Sequence, residues 1–248
     1  MAEGFNTSSS ANRGHSLHQP GGNLTPNNRF GTRLRELERA VIKWLGGRSE
    51  RDVEHDFVRR QVDGRSLRIL EIGGVGSTLS LHFARAGHAV TICDIYPYPE
   101  KHRNLESLKG DFLKWDFGSA AFDTVILLST IEHIGFGYYH DSVLRDGDKA
   151  AMRKVREVLR ENGRVILTTP YSAQERIVDG FERWYDKTRL ADLLAGFKVV
   201  VSEFWVPKVW LLGRCLKWVP ASADEAARSE VLYHYHAVVC LVAEKASG

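Results

Sequence analysis

The chain has 248 residues, 43% hydrophobic and 26% charged, which is enough apolar material for the core of one α/β domain with modest additions. A net charge of +3 without any Lys/Arg block argues against a nucleic-acid partner, and no apolar run approaches the roughly 18 residues of a transmembrane segment. The opening residues, MAEGFNTSSSANRGHS, lack the apolar centre of a signal peptide, and Cys93, Cys215 and Cys240 have no metal-ligand spacing, so a reducing cytoplasm is the expected location.

Residues 1–28 are rich in Ser, Asn, Gly and Pro and cannot bury enough surface to offset their ordering entropy, which predicts a disordered tail. Residues 29–64 form a helical extension. Leu34, Leu37, Val41 and Leu45 recur at helical spacing up to Gly46-Gly47, and a second helix is predicted over Asp52 to Val62.

From residue 65 to 248 the rhythm becomes strand and helix in alternation. Strands are predicted at Leu67–Ile72, Ala89–Cys93, Leu105–Leu108, Thr124–Leu128 and Val165–Thr169, the last ended by Pro170. Helices are predicted at Ser77–Ala86 and Asp148–Arg160, the second stopped by Asn162-Gly163. Near-continuous apolar strands between helices imply a parallel sheet covered on both faces. A helix at Thr188–Leu194, a strand at Lys198–Phe204 and a strand at Tyr233–Val242 follow, the last two pairing as an antiparallel hairpin at the sheet edge. The fold expected is a Rossmann-like seven-stranded sheet with an antiparallel last strand and N-terminal helices.

The segment Arg68-Ile-Leu-Glu-Ile-Gly-Gly-Val-Gly-Ser-Thr78 runs a strand into a glycine turn that opens a helix. Such a turn brings backbone N–H groups close to a ligand, although a plain strand-to-helix turn can look the same. Asp94 ends the next strand, where a carboxylate can accept from both hydroxyls of a ribose. A dinucleotide fold would use that acid too, but read from Gly74 the third glycine of its fingerprint falls on Leu79. A nicotinamide-dependent oxidoreductase is further weakened by the absence of a substrate domain.

Four blocks together carry a resemblance: the turn Gly73 to Leu79, the Asp-x-x-Pro-Tyr-Pro stretch Asp94 to Pro99, Gly110-Asp111, and the Ser-Thr-Ile-Glu-His-Ile-Gly motif Ser129 to Gly135. From Arg68 to Lys245 the chain resembles the class I S-adenosylmethionine-dependent methyltransferases of the branch bearing that last motif. The resemblance implies S-adenosyl-L-methionine as cofactor, Gly73 and Gly74 along its backbone, and Glu71 near the methionine moiety. It further implies Asp94 with Ile95 at the ribose, Asp111 on the adenine amino group, Phe112 packed on the adenine ring, and Ser129 in the same set. Val75 and Ser77 stand where many members carry glycine, a departure for which Gly76 compensates.

The catalytic candidates are Glu132 and His133, just past the fourth strand. His133 has the intrinsic pKa suited to a general base, and its rival role is capping or packing. The long stretch Gly135 to Asp148, with Tyr138, Tyr139, His140, Asp141 and Asp146, reads as an acceptor lid. Its acids read as solvated rather than metal-binding, and Asp148 as the N-cap of the following helix. Trp184, Tyr185 and Asp186 resemble the family's Tyr-Asp stretch near the acceptor. Trp205 to Val219 suggests an acceptor wall, a homodimer surface or a membrane-surface helix, with protein or acceptor contact preferred.

The function expected is methylation of a hydroxyl on a sugar, glycan or other small metabolite. The alternatives are an N-methyltransferase and a non-catalytic S-adenosylmethionine-binding regulatory subunit.

Overall fold

The computed structural model describes residues 47–64, 66–211, 214–229 and 236–246. The chain divides into two compact units, Met1–Val41 and Ile42–Gly248. The predicted tail and first helix lie outside the described residues; the rest concerns the second unit.

Helix α1 (Glu50–Gln61) starts two residues earlier than its apolar pattern suggests, because Ser49 and Asp52 form a reciprocal capping box. Acids sit in its first turn and Arg59 and Arg60 in its last, as the helix dipole favours. Then come β1 (Arg68–Ile72), α2 (Leu79–Arg85), β2 (Ala89–Asp94), β3 (Leu105–Lys109) and β4 (Phe122–Leu128), all near their predicted places. Helix α3 (Gly147–Val158) is followed directly by β5 (Leu159–Tyr171), a small hairpin of β6 (Arg176–Val178) and β7 (Glu182–Trp184), and α4 (Lys187–Leu193). The chain closes with β8 (Phe197–Leu211), β9 (Arg214–Ala221), α5 (Ala223–Arg228) and β10 (Ala237–Lys245).

The main sheet has the order β3-β2-β1-β4-β5-β10-β8-β9. Strands β1 to β5 run parallel, and β10 inserts antiparallel between β5 and β8. The antiparallel strand is therefore present as expected, but inside the sheet, and among the described residues the sheet has eight strands, not seven. The eighth comes from the stretch 205–219, which is not a helix. Strand β8 runs through it to Leu211 and returns as β9, whose Trp218 turns inward with Trp205 and Cys215.

Two other boundaries moved for physical reasons. Asn162 adopts φ +58° inside β5, so Asn162-Gly163 bends a strand instead of ending a helix. Pro170 continues β5 because β4 has already stopped at Leu128, so the missing N–H breaks no ladder bond. Its carbonyl accepts from Tyr185 N–H at 3.1 Å.

Both faces of the sheet are buried, as continuous apolar strands require. Val125 and Leu127 face one core with Met152 and Val155 of α3, while Ile126 and Leu128 face the other with Phe57 of α1 and Phe83 of α2. The three cysteines are buried. No helix among the described residues is long and apolar enough to cross a membrane.

Candidate active site

The carboxyl ends of β1, β2, β4 and β5 open on one edge of the sheet, the place where parallel sheets bind ligands. Gly73 leaves β1 at φ +74°, and a Cβ there would come within 2.5 Å of Thr130 Oγ1. Gly74 is nearly as confined, against Glu71 and Ile92. Gly76 has nothing within 4 Å of the Cβ it lacks, so the turn keeps an open face there.

Glu71, under the turn, is 1% exposed. Ser80 donates to its Oε2, Oε1 has no hydrogen-bond partner among the described residues, and burial raises its pKa against the pull of Ser80 and Ser77. Asp94 joins the two neighbouring turns, accepting from Val75 N–H at 2.9 Å and Tyr96 N–H at 2.8 Å. Burial raises its pKa against those two bonds. Ile95 follows, half-buried.

Asp111 caps a short 3₁₀ turn (Phe112–Lys114) and accepts from Leu113 N–H at 2.9 Å. Its other oxygen is taken by Ser142 of the 135–146 loop. Phe112 points into the core, against Phe117 and under the Lys154 ammonium.

Beyond β4, Ser129 sits at φ +45°, a strained conformation held from three sides. Its N–H reaches the carbonyl and the hydroxyl of Thr168, and its hydroxyl donates to Glu54. Thr168 Oγ1 donates to the same Glu54 oxygen at 2.6 Å. Glu54, on α1, thus reaches the carboxyl ends of β4 and β5 from the N-terminal extension. Sequence reasoning missed it, although its place among Val53, Phe57 and Val58 marks the buried face of the helix.

A second 3₁₀ turn (Ile131–His133) positions the catalytic candidates. Glu132 is 2% exposed, and burial, then repulsion from Glu182, Glu54 and Glu50, drives its pKa well up. His133 Nδ1 donates to the Phe181 carbonyl at 2.9 Å, which leaves Nε2 as the basic ring nitrogen. Burial lowers its pKa, so the ring is neutral near pH 7. The ring stacks on Phe181 at 5.4 Å and 5°, with Tyr139 edge-on.

The 135–146 loop is ordered by local pairing. Gly135 N–H donates to Asp141 Oδ2 at 2.9 Å, and Phe136 bridges Val143. Asp146 binds Arg189 at 3.0 Å. Among the described residues no group of three or more His, Cys, Asp or Glu could hold a metal ion.

Asp148 does not cap α3; Asp146 occupies the N-cap position. Instead Asp148, 1% exposed, binds Arg189 at 2.7 and 2.8 Å, Arg183 at 3.3 Å and the Tyr185 hydroxyl at 3.1 Å. It also accepts from Lys149 N–H in the first turn of α3 at 2.8 Å, so it serves the helix start and the two guanidinium groups together. Trp184 and Tyr185 are core residues, whereas Asp186 caps α4 by accepting from Arg189 N–H.

Residues 100–204 match a family described as "Caenorhabditis protein of unknown function, DUF268". No curated protein sequence matches the chain. Among solved structures, the 1,6-didemethyltoxoflavin-N1-methyltransferase of Burkholderia thailandensis, with bound 1,6-didemethyltoxoflavin and S-adenosylhomocysteine, is 17% identical with a TM-score of 0.57. That match covers 90% of this chain and 92% of that one. The N-methyltransferase NodS of Bradyrhizobium japonicum, in complex with S-adenosylhomocysteine, is 14% identical at TM-score 0.52, over 80% of this chain and 88% of that one. An S-adenosylmethionine-dependent methyltransferase of Methanosarcina mazei is 12% identical at TM-score 0.52, over 77% and 98%. The sheet therefore has the Rossmann-like fold of these methyltransferases.

Proposed function

We propose that the chain binds S-adenosyl-L-methionine and transfers its methyl group to a small acceptor. One observation carries the reading. The buried Glu71 lies beneath a confined glycine turn with one carboxylate oxygen unpartnered among the described residues, and an ammonium such as that of the methionine moiety supplies the missing donor. Gly73, Gly74 and Gly76 would line the cofactor, Asp94 and Ile95 its ribose, and Asp111 and Ser129 the rest of the cleft. Bound there, the sulfonium supplies an already activated methyl carbon, so the protein's tasks are to position a nucleophile and remove its proton.

Two proton acceptors face that task. His133 Nε2, neutral near pH 7, suits a sugar or metabolite hydroxyl, the acceptor first expected from the sequence. Glu132, with its raised pKa, suits a nitrogen acceptor, the second expectation. The intact Glu132–His133 pair speaks for catalysis over a purely regulatory binding role.

Calorimetry on the purified chain is expected to show S-adenosylhomocysteine binding that Asp94→Ala weakens at least about tenfold, since charge-assisted bonds contribute roughly 1.5–3 kcal/mol each. Equal affinity in the variant, or preference for NAD in the wild type, overturns the reading.

A further inference from the structure

The acceptor side of the site has an unusual charge pattern. Glu50 and Glu54 stand one turn apart on α1, Glu132 follows β4, and Glu182 opens β7. Glu182, Glu54 and Glu50 all lie close enough to Glu132 to disfavour its charge, and Glu50 is repelled in turn by Glu54 and Glu182. Few cations answer them. Arg51 meets Glu54 at 3.4 Å from the exposed side, and His236 approaches Glu182 at 3.6 Å with a pKa lowered by burial. Arg176 lies instead over the Trp184 ring, whose indole N–H donates to Glu182.

Glu132 is the member left without a proper partner. Its one side-chain hydrogen bond among the described residues is from Thr169 Oγ1 at 3.4 Å, longer than the roughly 2.5–3.0 Å of a normal O–H···O bond. Its own backbone N–H also bears on the carboxylate, but among the described residues no cationic side chain pairs with it, and a carboxylate so deeply buried is held best by one.

Aromatic rings line the same space. His133 and Phe181 are stacked, Tyr139 stands edge-on to His133, and Tyr138 touches both Tyr139 at 5.0 Å and Phe181 at 4.9 Å. Glu132 and Glu182 both bear on the Tyr139 hydroxyl, which places the acids beside the rings. Negative ring faces beside carboxylates attract a cation and offer little to a neutral hydroxyl.

We infer that the acceptor is a small amine, its ammonium held by Glu132 and the neighbouring carboxylates and its carbon body against Tyr139, His133 and Phe181. The inference rests on the methyltransferase reading above and places nitrogen ahead of the hydroxyl first expected. An ammonium cannot act as a nucleophile until it loses a proton. That proton passes to the Glu132 carboxylate, which leaves a neutral amine with a free lone pair beside a neutral acid. Burial and then Glu54 also push the neighbouring Glu50 carboxyl up, to about 8.

Calorimetric titration of the full chain, saturated with S-adenosylhomocysteine, tests this with benzylamine against benzyl alcohol and phenethylamine against phenethyl alcohol. Each amine is expected to bind at least about tenfold more tightly than its alcohol. Glu132→Gln should abolish that preference while leaving S-adenosylhomocysteine affinity unchanged. Glu182→Gln, at a less buried position, should reduce it and serves if the first variant does not fold. An alcohol that binds as tightly as its amine, or no amine binding at millimolar concentration, overturns the inference while the methyltransferase reading stands. Failure of the wild type to bind S-adenosylhomocysteine overturns both.

Discussion

Ser142 donates both its hydroxyl and its backbone N–H to Asp111 Oδ2, at 2.5 and 2.9 Å. The contact ties the loop carrying Tyr138 and Tyr139 to the turn after β3, so the acceptor side and the adenine side of the proposed site share one strut. Burial alone would raise the Asp111 pKa, but the bonds from Ser142 and Leu113, together with Lys114, outweigh it and hold the carboxyl below its ordinary value.

A depressed folded pKa stabilises the protein above the unfolded value, near 3.9, and that contribution is lost as pH falls through the folded pKa. Asp111→Asn should therefore lower the urea midpoint more at pH 7 than at pH 3. Ser142→Ala should cost roughly 1–2 kcal/mol at pH 7. The same penalty for Asp111→Asn at both pH values would show that its charge contributes nothing.

Glu54 accepts two hydroxyl protons on one oxygen while almost wholly buried, which welds α1 to the ends of β4 and β5. Glu54→Ala strands both hydroxyls and opens a cavity, for an expected loss of about 2–4 kcal/mol in chemical denaturation. Glu54→Gln keeps the shape and one acceptor oxygen and should lose less. If alanine and glutamine prove equally mild, α1 is held by its apolar face alone.

Asp148 is the hub of a buried ionic network, and removal of one charge strands Arg183 and Arg189. Asp148→Asn should cost about 3–5 kcal/mol. For a domain of this size that corresponds to a melting temperature lower by roughly 6–20 °C, readable by calorimetry. A shift of only a degree or two would mean that the guanidinium groups find other partners, such as Glu175.

Proton removal separates the two candidates after β4. With an amine acceptor, Glu132→Gln should lower turnover roughly 10²–10⁴-fold, whereas His133→Gln, which keeps polar atoms but no base, should cost far less. The wild-type rate should rise with pH through a value above the ordinary glutamate range, and that limb should survive in His133→Gln. A limb lying below about 6.5, where the lowered pKa of His133 puts it, and lost in His133→Gln, would assign the base to histidine and favour a hydroxyl acceptor.

The alternation of apolar strands with helices was legible in the residues themselves, because local hydrophobic spacing decides which face of each element is buried. Strands β1 to β5 and the glycine turn could be placed from that spacing alone, as could Asp94 at the end of β2. What lay beyond reach depended on contacts between distant parts of the chain. Trp205 to Val219 is apolar enough for a surface helix, yet it pairs with itself as an eighth strand because β8 offers an open edge once β10 is in place. Asp148 has the look of a residue that serves only the helix start, but its ionic partners, Arg183 and Arg189, are more than thirty residues away. The acids converging on Glu132, in the turn after β4, come from α1 and from β7. Only the folding of these three segments onto one edge of the sheet gives the site its charge, since electrostatic coupling depends on distance in space and not along the chain.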